Sequence, residues 1–147
     1  MAITTNAICN SFKKELLEAK HDFTQTTGDV FKLAMYTSAA TIGKSTTSYT
    51  TGSEVTSPAG YSAGGSALVN TGTSLASDTA ITSFDNLSFT GVTLTARGAL
   101  IYNTSSAVTT NAAVAVLDFG SDKSVSGGTF TIQFPAFTTA AAIIRIS

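Results

Sequence analysis

Hydrophobic side chains recur with different spacings along this chain, and the changes of spacing mark its elements. Between Thr5 and Phe23, apolar residues fall at Ile8, Phe12, Leu16, Ala19 and Phe23, spaced four, four, three and four apart, which predicts one amphipathic helix over 5–23. Lys13, Lys14, Glu18 and Lys20 lie off that stripe, and Thr4, Thr5 or Asn6 can supply the N-cap. Over 30–36 the pattern turns to alternation, with Phe31, Leu33 and Met35 on one face, which predicts a strand. Residues 37–65 then carry Gly, Ser and Thr throughout, with Ile42, Tyr49, Val55 and Tyr61 as isolated large side chains. Connections inside compact domains usually run about four to six residues, so this stretch is expected to form a long extended surface arm.

Further strands are predicted over 66–76 and 79–90, joined by a turn at Ala76-Ser77-Asp78-Thr79 and interrupted near Asp85-Asn86. A last short strand is predicted over 141–146, zipping the end of the chain into a sheet. The clearest stretch is 94–132. Its three apolar runs, 94–102, 113–119 and 129–134, are separated by NTSSAVTTN and GSDKSVSGG, and three antiparallel strands in a meander are the simplest reading. The whole pattern describes a mainly β chain of about eight strands. It predicts a single antiparallel β-sandwich domain over 1–147, jelly-roll-like, with one N-terminal α-helix that packs either on its own domain or on a neighbouring subunit.

Composition changes this picture mainly at the surface. Charged residues are 12% of the chain, while Ser and Thr account for 44 of its 147 residues, so hydroxyls rather than charges must cover the fold, a surface suited to being covered by other protein. The formal charge is −1 and the eight basic residues are scattered, which argues against direct nucleic-acid binding. No apolar run approaches the roughly 18 residues that cross a bilayer, so no membrane partner is expected. The N-terminal charges follow the weakly apolar segment, the reverse of a secretory leader. Cys9 is the single cysteine and cannot form an internal disulfide, which fits assembly in a reducing cytoplasm.

Candidate chemistry is sparse. His21 is the only imidazole and falls at the end of the predicted helix, where interaction with the last carbonyls accounts for it. One His and one Cys cannot, from those residue types, build a multi-ligand zinc site within a single chain, and Asp118 and Asp122 could meet a calcium ion in their turn but lack the dense alternating carboxylates of calcium loops. Asp118-Phe119-Gly120 has none of the surrounding motifs of a kinase and reads as a strand entering a turn. The expectation is therefore a protein that is not an enzyme, with no catalytic, cofactor-binding or metal-binding residue. Candidate contact residues are Ile8 and Phe12 on the helix, Ile42, Tyr49, Val55 and Tyr61 on the arm, and Arg97, a lone cation in an apolar strand. The arm side chains equally suit pinning the arm onto its own domain.

Three segments carry a family resemblance: AICNSFKKELLEAKHDF, then FKLAMYTSAATI leading into SEVTSPAGYSAGG, and TARGALIYNTSS with AVAVLDFGSDKSVSGGTFTIQFPA. They resemble the small virion structural proteins of tailed bacteriophages. The resemblance implies a β-sandwich subunit on the capsid exterior, a cement or decoration protein assembled in the host cytoplasm, with the major capsid protein as partner and a homotrimer as the assembly. A neck-, tail- or fibre-associated virion subunit is the alternative. A carbohydrate-binding β-sandwich would normally display Trp or Tyr platforms, and this chain has no Trp.

Overall fold

Two long strands, joined by the NTSSAVTTN connection, form the spine of the molecule. The computed structural model describes residues 3–56, 59–105 and 110–147. Among these the element order is β1 (Ala7–Ile8), α1 (Asn10–Leu17), β2 (Phe31–Tyr36), β3 (Ser66–Ala67), β4 (Asn70–Ala76), β5 (Thr79–Phe84), β6 (Leu87–Asn103), β7 (Ala112–Ile132) and β8 (Ile144–Ile146). One antiparallel sheet has the order β1-β7-β6-β2-β3 and the other β4-β5-β8, and neither closes on itself. This is the mainly β, antiparallel sandwich that the alternation predicts.

β2 runs against β6 along its whole length, from Phe31 opposite Asn103 to Tyr36 opposite Gly98. Phe31, Leu33 and Met35 project to one face and Ala34 and Tyr36 to the other, yet all five are buried, so here the sheet is covered on both sides. One cover is aromatic: Phe12 of α1, Phe23 and Phe84 of β5 cluster with Phe31, with Phe23 stacked on it at 4.4 Å between centroids. The other cover comes from residues 49–50 and 64 of the expected arm, which meet Tyr36 and Tyr102. Gly65, at φ +72°, lets that segment lie directly on β2, since any side chain there would be driven into the carbonyl of Leu33.

The described parts of this segment, 37–56 and 59–65, therefore do not extend from the domain. Two arms of backbone pairing explain why. Residues 53–55 bond back to the end of β2 (Val55 N–H to Met35 O, 2.9 Å; Thr37 N–H to Ser53 O, 3.0 Å). Residues 47–49 bond to the start of β7 (Ala113 N–H to Thr47 O, 3.0 Å; Tyr49 N–H to Asn111 O, 2.9 Å). A hydroxyl-rich sequence with little hydrophobic pattern is thus held by distant partners.

The three-strand meander expected over 94–132 is a two-strand hairpin. GSDKSVSGG lies inside β7, not between two strands, because bulges absorb its extra residues. Two steps along β6, from Ala96 to Gly98, span the five steps from Lys123 to Asp118 in β7, and a second irregularity separates Val92/Gly128 from Leu94/Val125. Gly120 and Gly127, at φ +79° and +61°, permit these detours.

The helix is also shorter than its hydrophobic stripe. Ala7 and Ile8 pair with Val116 and Ala115 of β7, and Cys9, in extended conformation, precedes α1 without a side-chain cap. At the other end Ala19 adopts φ +56°, with Ala19 N–H bonded to Leu16 O (3.1 Å) and Lys20 N–H to Glu15 O (3.0 Å). These bonds form a Schellman motif in which alanine occupies the left-handed position normally taken by glycine. Ile8 and Phe23 join the core from outside the helix, and Leu17 is left 91% exposed.

Candidate functional site

Two polar clusters, a buried thiol and an apolar groove are the features of this fold that bear on chemistry. The first centres on Glu54, buried between the arm and the sheet. Its carboxylate accepts hydrogen bonds from Tyr49 Oη, Tyr61 Oη and Gly64 N–H, each 2.6 Å. Tyr102 stacks on Tyr49 at 4.7 Å and donates to Gly64 O (2.6 Å), and Tyr36 donates to Thr50 O (2.6 Å). All four tyrosines of the chain thus gather around Glu54, Tyr49 and Tyr61 bonded to its carboxylate and Tyr36 and Tyr102 to backbone carbonyls of the arm. Burial, together with the Glu54 charge, pushes every one of these phenols up, Tyr102 to about 12. Phenols held neutral around a carboxylate act as donors, so this cluster clasps the arm to the sheet.

His21 anchors the second cluster. Its side chain is fully enclosed; Nε2–H donates to Glu15 Oε2 (2.8 Å), and Nδ1 accepts from Asn103 Nδ2 (3.1 Å), which also donates to Asp29 Oδ2 (2.6 Å). Asn103 as donor sets the imidazole tautomer. The expected role at a helix end does not hold, because the chain turns inward after Ala19 and carries the ring between Phe12 and Phe31. The network joins α1 to the end of β6. The third polar group is Cys9, whose thiol is pushed up to about 11 by burial, with Glu15 adding to the effect, which leaves it a weak nucleophile. Among the described residues no group of three or more His, Cys, Asp or Glu side chains could hold a metal ion.

The fourth feature is apolar. A groove of about 790 Å³ runs beside β7, between its bulged half and the segment leading to β8. Leu117, Phe119, Val125, Phe130, Phe134 and Ile143 line it, each half-buried. Asn6, Asp118, Lys123 and Gln133 give it polar margins. The carboxylate of Asp118 is engaged by Arg97 Nε (3.2 Å) and Gly120 N–H (2.8 Å).

Of the candidate contact residues, Ile8 lines this groove, and Arg97 reaches it through its partner Asp118. Phe12, Ile42, Val55 and Tyr61 are buried within the chain, and Tyr49 is half-buried in the Glu54 cluster. The arm side chains therefore do what their second reading required and pin the arm to its own domain. The groove itself escaped the sequence reading, because bulges scramble the alternation that would have put its side chains on one face.

Fold and site together define a β-sandwich domain with internally satisfied polar clusters and an apolar groove along one sheet edge. Comparison of the chain with protein-family models, curated proteins and solved structures finds no match.

Proposed function

We propose that the chain is a structural subunit of a tailed-bacteriophage virion, a capsid cement protein that bridges neighbouring major capsid protein subunits and stabilises the head. The observation that carries this reading is the contrast between polar groups spent on internal clasps and an apolar groove left open on a sheet edge. Glu54, His21 and Arg97 each bond within the chain, whereas Phe119, Phe130 and Phe134 remain partly uncovered. Such a surface favours association over catalysis. The sparse charge, 12% of residues, leaves little repulsion to oppose close packing among many copies. The resemblance in three segments supplies the particle. Trimers at three-fold or quasi-three-fold positions would repeat each weak contact by symmetry, so that the contacts act collectively against the pressure of packaged DNA.

An electron-microscopy map of the virion tests this. Copies on the order of hundreds, seated between capsomers, are expected. About six or twelve copies at the portal vertex would overturn the cement reading in favour of a neck or tail subunit.

A further inference from the structure

We infer that the outer edge of β7 beyond Leu117, with the groove beside it, is a strand-addition site for an extended, largely uncharged segment of a neighbouring, different protein subunit. The identity of that neighbour rests on the assembly reading above; the site rests on the edge itself. Along the first part of β7 the chain fills its own edge piece by piece. Residues 47–49 bond at 111–113, Cys9 N–H bonds Val114 O at 2.9 Å, and β1 pairs with Ala115 and Val116. The Asn6 side chain then accepts the N–H of Asp118 at 2.6 Å. From 119 to 132, β6 is the sole strand pairing with β7 among the described residues, and the other side has no strand.

Backbone donors and acceptors on such an edge are satisfied by water or by an added strand. Water alone is a poor partner for the adjoining wall of Phe119, Phe130 and Phe134. An extended segment suits both features: its backbone completes the ladder while alternate side chains enter the groove. The charge pattern narrows the segment further. Residues 124–132 carry no charged side chain, Asp118 is paired with Arg97, and the adjacent Asp122 and Lys123 are of opposite sign, so the edge carries no net charge.

A second copy of this chain is the weaker occupant. Two rigid edges, each interrupted at 119–122 and again near Gly127, cannot form a continuous ladder with one another, and bulges of this kind are how sheets resist edge-to-edge pairing. A free segment can follow the irregular edge.

The test is a random library of short displayed peptides selected against the intact chain, with enriched sequences synthesised and mapped by amide chemical shifts. Enriched peptides should alternate apolar and uncharged polar residues and shift amides within 119–132. Backbone N-methylation of the peptide, which removes its ladder donors and leaves its side chains, should weaken binding by at least about tenfold. Phe130→Glu, checked for folding by circular dichroism, should abolish it, and Val125→Glu provides a second variant if the first does not fold. No enrichment, binders mapping elsewhere, or binders indifferent to N-methylation would overturn the site. A wild-type dimer that Phe130→Glu dissociates in sedimentation would replace the partner segment with a second copy. None of these outcomes depends on where the protein lies on a particle, so the site can fail while the cement reading stands, and the reverse.

Discussion

The two halves of the β6–β7 hairpin are built from the same two strands and meet opposite fates. Near the connection, 98–103 of β6 and 112–116 of β7 are buried throughout. They have β2 on one side, β1 and residues 47–49 on the other, and packed cover above and below. At the far end, 87–96 of β6 keeps a simpler pattern, Val92, Leu94 and Ala96 buried against exposed Thr93 and Thr95, and its β7 partner has no second strand beside it among the described residues. Strand pairing alone therefore does not make a core. What separates the halves is whether distant parts of the chain return to cover them, and the Glu54 clasp is one such return.

The strongest way to break that contrast is Glu54→Ala. It leaves Tyr49, Tyr61 and Gly64 N–H without their acceptor inside the covered half and is expected to cost about 3–5 kcal/mol in chemical denaturation. Raising the pH attacks the same clasp from its donor side. The folded state holds these phenols neutral, with Tyr102 pushed up to about 12. Unfolded tyrosine ionises near 10, so this contribution is complete below about pH 10 and is lost as pH rises through about 12. Thermal melts across that window should show a falling midpoint that Tyr102→Phe makes shallower.

In the open half the matching substitution, Phe130→Ala, removes a half-buried ring and should cost only about 1 kcal/mol by denaturant titration. A loss as large as that of Glu54→Ala would show that the groove is core and not surface. The smallest expected effect has the opposite sign. Ala19→Gly relieves the left-handed alanine at the end of α1 and should stabilise by about 0.5–1 kcal/mol in the same titration, after allowing for the greater freedom of glycine in the unfolded chain.

Legibility in the sequence follows the same division between local and returning structure. β2, the turn at Ser77-Asp78, the break at Asp85-Asn86 and the closing strand β8 were readable because each is encoded by neighbours in the chain. The helix end was not, since alanine gives no sign of a left-handed C-terminus. The continuity of β7 through GSDKSVSGG was hidden because bulge-forming and loop-forming residues are the same residues. The clasp was invisible for a different reason: Tyr36, Tyr49, Tyr61 and Tyr102 are far apart in sequence, and only the buried carboxylate gives them a common purpose. At the groove, Ile8 lies in the lining, whereas nothing in the sequence marked the Phe119–Phe130 pair, although the rings lie 6.0 Å apart.

The piecewise filling of the β7 edge also implies an order of events in folding. β6 and β7 are neighbours in sequence, whereas the residues that line the edge come from 7–8 and 47–49, and closing longer loops costs more entropy. We expect the hairpin to zip first and the N-terminal residues to lock last. In pulse-labelled hydrogen exchange, amides of 98–103 should then gain protection before that of Cys9. A newly folding chain would in that case begin with the whole outer edge of β7 unpaired and shorten it, step by step, to the stretch beyond Leu117.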